Sequence, residues 1–392
     1  MTAPTLVIAD YPIGYASGFG ETLYNLFSGF PKEKLWTAHP GHISPAEDKN
    51  GVASINLPSP ARPFWLPGQI SLAYYPFLKA HQSLAAKQTV RLLADAVRKN
   101  SIENILVVPV SPWILSAALT LHKQYPELKL ILYVMDDWQG HHECHQLPYS
   151  RARRRLLLEV INRAQARFAV SREMAVHYEE TYGNDWQVAH NGVRKPSLAN
   201  DFDAGTRVRK VFLAGDVNVF RFDAVIAFAA AIERHNARHG TRIELTVMGE
   251  VAEQHRPALS SLSAVRLFGR RSHVECLEAM RAADLLYLPL AFGKRSSRIS
   301  RYSLPTKLPE YLASGKQVFF HAPKESAAFR IAERYDLTPR LATINPDDLD
   351  AFLEAWADGN PKGAYTTDGT RRALVEEFDL DQLAARFQAA FV

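Results

Sequence analysis

The 392-residue sequence is poor in cysteine and has no long uninterrupted apolar run. Its two cysteines, Cys144 and Cys276, are far apart and form no paired motif, which excludes a disulfide framework and gives no zinc or redox site. The longest apolar region, residues 105–121, is broken by Pro109 and Pro112 and predicts a strand, a turn and a helix rather than a membrane span. No basic start or cleavage site precedes the first apolar segment, so we expect no signal peptide.

Neither sign of charge dominates the composition. Lys and Arg number 46 against 41 Asp and Glu, a net charge of +5. This balance suits anionic ligands or an anionic membrane surface, and it is too mild to indicate nucleic-acid binding. Hydrophobic residues make up 47% and charged residues 22%, as in ordinary globular proteins, and the length favours two domains.

Short apolar segments alternate with helical patterns along most of the chain. Eleven segments indicate buried strands: residues 6–9, 35–38, 105–110, 128–134, 168–170, 187–189, 211–214, 243–248, 265–268, 285–290 and 318–321. The alternation predicts doubly wound parallel α/β sheets, and eleven strands are more than one such sheet usually holds. The polar stretch 194–209 therefore predicts a boundary between two α/β halves, with an amphipathic helix pattern in the tail.

The helix predicted before the last of these strands combines a proline start with a glycine stop. Pro305 suits its first position and Gly315 the position after its end. Free N–H groups near Thr306 and the ammonium of Lys307 would form an anion site. Glu310, three residues further on, lies on the same side and could accept hydrogen bonds from a sugar diol. A phosphate site beside a diol site suits a nucleotide, whereas the alternative is an ordinary capped helix with solvated charges.

A glycine-rich loop, residues 14–20, follows the first strand and leads into a helix predicted from Glu21. Gly18 and Gly20 would let the backbone approach a ligand at a helix N-terminus. The spacing differs from the dinucleotide-binding fingerprint and no suitable acid follows the second strand, so hydride chemistry loses support. A plain tight turn is the alternative.

Two carboxylates, Asp136 and Asp137, follow the strand 128–134. At the carboxyl end of a strand they could serve as a general base or bind sugar hydroxyls, and the alternative is a helix N-cap. The residues that follow include His141, His142, Cys144 and His145. Their spacing matches no zinc motif, so we expect no metal site.

Cations cluster in the second half of the chain. Arg221 follows Gly215 at the head of a helix predicted to run to His239, where a guanidinium and a helix dipole could bind a diphosphate together. The loop 292–301, which directly precedes the Lys307 segment, contains Lys294, Arg295, Arg298 and Arg301. A second phosphate-binding element or a solvated basic loop would each explain this pattern.

Two segments of the first half remain ambiguous. Residues 57–77 combine five prolines with five aromatic side chains, and they could line an acceptor site, touch lipid head groups or simply pack on their own domain. Residues 151–155 contain four arginines, which could bind anionic lipid or form the polar first turn of a helix. We favour the structural interpretation for both.

Taken together, these segments resemble the GT-B glycosyltransferases, most closely the large retaining family 4 (group 1). Residues 304–316 resemble the proline-x-lysine variant of that family's donor motif, and 169–171 with 190–193 resemble its end-of-first-domain signature. The resemblance covers nearly the whole chain. It implies two Rossmann-like doubly wound α/β domains facing across a cleft, 1–195 on the acceptor side and 206–370 on the nucleotide-sugar side. A helix in 371–392 would cross back to the first domain.

The resemblance also implies roles for individual residues. Thr306, Lys307 and Leu308 would contact the diphosphate, and Glu310 the ribose. The remaining donor-binding residues implied are Gly18, Gly20, Gly215, Arg221 and Arg298. The catalytic set expected is Asp136, Asp137, Arg221 and Lys307. Two positions depart from the family pattern: Asp216 stands where arginine is common, and Tyr302 near the first glutamate of a paired-glutamate motif.

The implied activity is transfer of a hexosyl or deoxyhexosyl group (EC 2.4) from a UDP- or GDP-sugar, with retention and without a metal. The expected acceptor is a glycan or lipid-linked glycan in polysaccharide or lipopolysaccharide assembly. We expect a cytoplasmic protein with peripheral contact to the inner face of an anionic membrane. Two alternatives remain: a GT-B sugar-nucleotide epimerase, and a non-catalytic partner that binds nucleotide or glycan, which Asp216 and Tyr302 suggest.

Overall fold

Two parallel β-sheets, each in its own α/β unit, make up the fold of this computed structural model. The structure describes residues 2–15, 17–41, 51–58, 71–144, 151–194, 208–240, 242–294, 296–358 and 368–392, with the backbone alone for 71–85 and 142–144. Unit 1 comprises residues 1–190 together with Gln382–Val392, and unit 2 comprises Asn191–Asp381. The predicted α/β class with two doubly wound parallel sheets is confirmed.

Unit 1 contains a seven-stranded sheet. Its strands are β1 (Thr5–Ala9), β2 (Leu35–Pro40), β3 (Ala53–Leu57), β4 (Asn104–Val108), β5 (Lys129–Val134), β6 (Ala166–Ala169) and β7 (Gln187–Val188). Its helices are α1 (Gly18–Leu26), α2 (Ser71–Asn100), α3 (Pro112–Gln124), α4 (Trp138–Cys144), α5 (Arg151–Arg163) and α6 (Arg172–Tyr182), with a 3₁₀ turn at Lys32–Lys34. The strand order is β3-β2-β1-β4-β5-β6-β7, all parallel, so the order reverses between β1 and β4.

Unit 2 contains a six-stranded sheet. Its strands are β8 (Val208–Ala214), β9 (Arg242–Met248), β10 (Val265–Leu267), β11 (Leu285–Pro289), β12 (Gln317–His321) and β13 (Arg340–Leu341). Its helices are α7 (Phe222–Arg238), α8 (Arg256–Ser260), α9 (His273–Ala282), α10 (Ser297–Tyr302), α11 (Leu308–Ala313), α12 (Ala327–Arg334), α13 (Pro346–Asp358) and α14 (Asp368–Glu376). The parallel order β10-β9-β8-β11-β12-β13 reverses between β8 and β11. The last helix, α15 (Leu380–Gln388), contains the boundary between the units and precedes a 3₁₀ turn at Ala389–Phe391.

The C-terminal residues complete the aromatic core of unit 1. The ring of Phe387 lies 4.8 Å from that of Phe168 and 5.4 Å from that of Phe27 between ring centroids, and Phe391 lies 5.4 Å from Phe27. All four side chains are at most 5% exposed. The amide of Gln388 also donates to two backbone carbonyls at the end of α1, at 2.8 and 2.9 Å.

The tail differs from the single helix that its pattern predicts. It forms α14 and α15, separated around Phe378 and Asp379. The N–H of Val193 donates to the Phe378 carbonyl at 2.9 Å, and the Leu380 N–H donates to the Val193 carbonyl at 3.2 Å. This strand-like pairing takes backbone groups that a continuous helix would use within itself, so the helix is interrupted there.

Among the described residues, no helix is both long and apolar enough to span a membrane.

Candidate functional site

The reversal of strand order in unit 2 places two loops side by side at the carboxyl ends of β8 and β11. In open parallel sheets this is the position where ligands bind. The β8 loop begins with Gly215, and the chain after β11 continues through the basic loop and α10 to α11. The residues predicted for the nucleotide site in the second half of the sequence therefore all follow these two strands.

The helix α11 begins later than the sequence predicts. It starts at Leu308 with Pro309 in its first turn and Lys307 at the N-cap, so the placement of Pro305 at the first helical position is wrong. Pro305 instead closes a preceding turn, since its carbonyl accepts the Leu308 N–H at 3.0 Å. The reason is that Pro309 itself lacks an N–H and fits the first turn of a helix. Gly315 follows the C-cap with φ +73°, as predicted.

Lys307 and Glu310 form an ion pair on one side of α11. The Lys307 ammonium lies 3.0 and 3.2 Å from the two carboxylate oxygens of Glu310. Both side chains are partly buried, at 28% and 18% exposure, so the pair is not merely a solvated surface contact. An anion that binds Lys307 must compete with this carboxylate, and Glu310 would then be available to accept hydrogen bonds.

The turn before α11 presents backbone N–H donors, and a buried side chain hydrogen-bonds to one of its backbone carbonyls. The buried amide of Asn191 donates to the Thr306 carbonyl at 2.9 Å. Among the described residues, the N–H groups of Thr306 and Lys307 have no hydrogen-bond acceptor, whereas the N–H of Leu308 is used by Pro305. Of the three residues expected at the diphosphate, Thr306 and Lys307 therefore offer donors, and the fully buried Leu308 anchors the helix. The sequence singled out Asn191 only as part of a signature.

Arg221 lies directly against Gly215. A Cβ atom added to Gly215, whose φ is +115°, would lie 2.6 Å from Nη1 of Arg221. Only glycine suits this backbone conformation and this close approach. Burial lowers the pKa of Arg221, while Tyr311 and Asp216 act to raise it, and the guanidinium remains charged at any physiological pH. Gly215 and Arg221, both expected at the donor, thus lie next to each other in the fold.

The phenol of Tyr311 joins this loop to α11. Its hydroxyl accepts the Ala214 N–H at 2.7 Å across 97 residues of sequence. Since Ala214 precedes Gly215, and Tyr311 follows Glu310, this bond brings the Arg221 and Lys307 elements together. Burial raises the pKa of Tyr311. Tyr311 is not predicted from the sequence, in which its one signal is an aromatic side chain next to the predicted ribose ligand.

Asp216 and Gly249 tie the ends of three neighbouring strands together. The Asp216 carboxylate accepts the Glu250 N–H at 2.8 Å and pairs with Arg270 at 3.3 Å. A Cβ on Gly249 would lie 2.2 Å from the Gly215 carbonyl oxygen, so the two loops cross in contact. Position 216, one of the two departures from the resembled pattern, thus holds an acid that is paired with Arg270 from the loop after β10.

Cys276 on α9 lies near the Lys307–Glu310 pair, and α10 precedes the Lys307 turn in the sequence. The thiol of Cys276, on α9, has a pKa raised by burial, and the charges of Lys307 and Glu310 also act on it. On α10, the guanidinium of Arg298 lies 5.9 Å and that of Arg301 5.5 Å from the ring centroid of Tyr302. The Tyr302 side chain is buried at 5% exposure. Arg298, which is expected to bind the donor, therefore packs near the ring of Tyr302. In the sequence it precedes the Lys307 turn.

In unit 1, the glycine loop forms a capped helix start. The helix α1 begins at Gly18 rather than at Glu21, and the Ser17 hydroxyl accepts the Gly20 N–H at 3.3 Å. Ser17 is an N-cap residue, and this explains the earlier start. A Cβ on Gly20 would lie 2.5 Å from the backbone N and O of Tyr15, so this glycine permits a close chain crossing. Within the described part of this loop, the N–H of Gly18 has no hydrogen-bond acceptor.

Asp137 caps α4 and is completely buried. Its Oδ2 accepts the Gly140 N–H at 2.7 Å, and its Oδ1 accepts the Tyr178 hydroxyl at 3.1 Å. A carboxylate enclosed in this way does not reach a substrate, so the catalytic role predicted for Asp137 is corrected to the helix cap. Asp136 is partly exposed at the end of β5. These two neighbours therefore have different environments.

The remaining predictions in unit 1 are settled in part. The helix α5 begins at Arg151, so residues 151–155 form its first turns, as favoured. The segment 57–77 and the side chains of His142, Cys144 and His145 lie largely or wholly outside the described residues. Within the described part of the chain, no group of three or more acidic, histidine or cysteine side chains could hold a metal ion.

Comparison of the sequence with family models and with curated proteins gives no match. The structure, in contrast, is similar to several solved structures over nearly its whole length. A sucrose-phosphate synthase from Thermosynechococcus elongatus has 11% identity and a TM-score of 0.69, with 98% of this chain and 97% of that chain covered. The UDP-forming alpha,alpha-trehalose-phosphate synthase from Burkholderia xenovorans, in complex with glucose-6-phosphate, has 12% identity and a TM-score of 0.66, with 99% and 98% covered.

The lipopolysaccharide outer core galactosyltransferase WaaB has 12% identity and a TM-score of 0.62, with 98% of each chain covered. All three are similar to this chain across both units. At such identities the likeness establishes the fold, and the GT-B fold expected from the sequence is confirmed.

Proposed function

We propose that this protein is a glycosyltransferase that takes its sugar from a nucleoside diphosphate sugar. The observation that carries the proposal is the junction at Tyr311, which joins the Gly215–Arg221 loop to the Lys307–Glu310 turn at the point where the strand order reverses. Two cations and two backbone donors there suit a diphosphate, and the adjacent carboxylate suits a ribose diol. The similarity of the fold to sugar-transferring enzymes supports the same reaction class.

The chemistry that this site can perform is stabilisation of a leaving group. When the bond between the sugar and the diphosphate breaks, negative charge grows on the phosphate oxygens, and fixed cations stabilise it. Arg221 is held against Gly215 and so needs little reorganisation to do this. Lys307 would exchange Glu310 for phosphate, and the released carboxylate would then bind the ribose hydroxyls. We propose that the reaction proceeds without a metal, because these cations carry the charge.

We further propose that transfer proceeds with retention of configuration. The acceptor hydroxyl would attack from the face of the departing diphosphate, and a phosphate oxygen would take its proton. No strong protein base is required in this scheme, which agrees with the corrected role of Asp137. Asp136, partly exposed at the end of β5, and the N-terminus of α1 near Gly18 are proposed to position substrate groups in unit 1.

The proposed donor is a UDP- or GDP-sugar, and the proposed acceptor is a glycan or lipid-linked glycan in polysaccharide or lipopolysaccharide assembly. A cytoplasmic location with peripheral membrane contact is part of this proposal. Residues 151–155 form an ordinary polar helix start, and in this proposal the exposed Arg151, Arg154 and Arg155 on it would also make the membrane contact. Such a cluster attracts anionic head groups. Sedimentation with phosphatidylglycerol vesicles, but not with neutral ones, should depend on these three arginines.

A donor panel monitored by mass spectrometry tests the enzymatic proposal. We expect UDP or GDP release with sugar transfer when glycan acceptors are present, and we expect both to be lost in Lys307→Ala and Glu310→Ala. Arg242→Gln is a matched control, because Arg242 is an exposed cation at the amino end of β9. The proposed site lies at the carboxyl ends of the strands of the same sheet. Donor binding without turnover would instead favour the non-catalytic partner, and an epimerised donor would contradict transfer.

A further inference from the structure

Three aromatic side chains lie together after the carboxyl end of β1 in unit 1. The ring centroid of Tyr11 is 5.6 Å from that of Tyr15, with 19° between the ring planes, and 5.7 Å from that of Phe19. All three residues are partly exposed. None of these rings has a role in the proposed donor site, which belongs to unit 2. Their position in the sheet indicates what they could bind.

The carboxylate of Asp10 fixes this position. Its Oδ2 accepts the N–H groups of Val110 and Ser111, both at 2.9 Å, and its Oδ1 accepts the Ser111 hydroxyl. Asp10 thereby joins the loop after β1 to the loop after β4, the two strands between which the strand order of unit 1 reverses. In open parallel sheets, ligands bind at such a reversal. Since Tyr11 follows Asp10 directly, the aromatic cluster begins at this ligand-binding position.

The three rings form a row that starts at the core and ends at Tyr15. Phe19, on α1, packs against the buried core of unit 1, and the ring of Tyr11 contacts those of both Phe19 and Tyr15. In the described part of the chain, Tyr15 has no ring neighbour other than Tyr11, and its hydroxyl has no hydrogen-bond partner. One face of the Tyr15 ring is stacked on Tyr11, so the opposite face and the hydroxyl are what this side chain offers to a ligand.

A pyranose ring matches this combination of an aromatic face and polar groups. One face of the sugar presents C–H groups that pack on an aromatic ring, whereas the hydroxyls at its rim need polar partners. Polar groups lie on the same edge of the sheet. The N–H of Gly18, directly before Phe19, has no acceptor within the described part of the loop, and Asp136 is partly exposed after β5, the neighbour of β4. An acyl chain has no hydroxyls that would use these groups.

We propose that Tyr15 is the stacking partner of a sugar ring in the acceptor. The inference rests on the proposed function and specifies its acceptor side, since the acceptor would present a pyranose to unit 1 rather than a lipid chain or a nucleobase. Tyr15 is then a specificity-determining residue, and Tyr11 and Phe19 hold its ring in place. Affinity for the acceptor sugar depends on the aromatic ring of Tyr15 and not on its hydroxyl alone.

Saturation-transfer NMR with the full chain tests the proposal. The probes are the methyl glycosides of glucose, galactose, N-acetylglucosamine, mannose and rhamnose. We expect at least one to bind, with the strongest transfer to the C–H groups of one ring face. In Tyr15→Leu its affinity should fall about fivefold or more, because an aromatic stacking partner is lost. In Tyr15→Phe the ring is kept, and affinity should change by less than about twofold.

Tyr24→Leu is the matched control. Tyr24 is a 42% exposed tyrosine on the same helix α1, so this variant removes a phenol of the same kind away from the row of rings. Glycoside affinity should be unchanged in Tyr24→Leu. Equal melting temperatures of the parent and the three variants would show that a loss of binding does not come from unfolding.

Several results would overturn the inference. Absence of binding for every glycoside contradicts it, and so does an unchanged affinity in Tyr15→Leu. Equal losses in Tyr15→Leu and Tyr15→Phe would assign the contact to the hydroxyl. Tighter Tyr15-dependent binding of uridine or guanosine than of any glycoside would identify a nucleobase as the stacked group.

Binding of UDP and GDP, and its loss in Lys307→Ala, tests the proposed function separately. If a nucleotide binds and no glycoside does, the proposed function stands and the role of Tyr15 is refuted. If a glycoside binds through the Tyr15 ring and neither nucleotide binds, the proposed function is refuted, whereas Tyr15 still marks a sugar site.

Discussion

Replacement of Tyr311 by phenylalanine should destabilise unit 2 through a single backbone group. The hydroxyl is the acceptor for the Ala214 N–H at 2.7 Å, and Tyr311 and Ala214 are 0% and 3% exposed. Water cannot replace the hydroxyl without opening the packing. A buried donor left without a partner costs about 1–3 kcal/mol. For a unit of this size the melting temperature should therefore fall by roughly 2–12 °C.

Hydrogen exchange locates the same effect in the sequence. Peptides covering the end of β8 contain the Ala214 amide, and their exchange should accelerate about tenfold or more in Tyr311→Phe. Because Gly215 and Arg221 follow directly, UDP binding should weaken as well. Tyr335→Phe is the matched control. Its hydroxyl donates to Glu377, which keeps a 3.0 Å ion pair with Arg334, so no backbone donor loses its partner.

Two results would contradict this role of the Tyr311 hydroxyl. If Tyr311→Phe melts within about a degree of the parent and β8 exchanges at the parent rate, the Ala214 N–H does not depend on this hydroxyl. A fall in melting temperature that Tyr335→Phe reproduces would also refute the assignment, because it would reflect loss of any tyrosine hydroxyl rather than of this acceptor.

Three further substitutions test other parts of the structure. Gly249→Ala should cost at least about 3 kcal/mol in urea unfolding, since its methyl would lie 2.2 Å from the Gly215 oxygen, whereas Gly240→Ala, with open space around it, should change stability by less than about 0.5 kcal/mol. Gly20→Ala should lower the melting temperature of unit 1 by several degrees, and a neutral result would mean that the crossing is not close. Burial lowers the pKa of His321 to about 4, whereas the pKa of this imidazole in the unfolded state is 6.5. On acidification the folded protein is therefore protonated at a lower pH than the unfolded chain. The stabilisation that depends on neutral His321 is complete above pH 6.5 and is lost as the pH drops towards 4, so the free energy of unfolding should fall by roughly 2 kcal/mol between pH 7.5 and 5.0. In His321→Gln, the melting temperature should fall much less over this pH range.

The sequence predicts the sheets well where strands are buried on both faces. All eleven strands expected from continuous apolar segments are present. The two that were missed, β3 and β13, lie at sheet edges, where β3 is largely exposed and β13 has only two residues. An edge strand has a neighbour on one side only and needs no continuous apolar run, so its pattern resembles that of a loop.

The site was predictable where its residues are close in sequence. The spacing of Lys307 and Glu310 indicates one helix side, and they form an ion pair. Tyr311 and Gly249 were missed because their roles depend on Ala214 and Gly215, which are far away in the chain. The misplaced role of Asp137 has the same origin, since only the fold shows that Tyr178 encloses it.

The core position of Phe387 and Phe391 has a consequence for the order of folding during synthesis. Unit 1 cannot close its aromatic core until these residues have been added, although its seven strands are synthesised first. Domains that emerge early usually fold first. Here the continuous unit 2 can complete its own core while unit 1 still exposes the rings of Phe27 and Phe168. The segment 382–392, which follows unit 2 in the sequence, therefore acts as a late closing step for unit 1, and until it is synthesised the open core of unit 1 is exposed to aggregation.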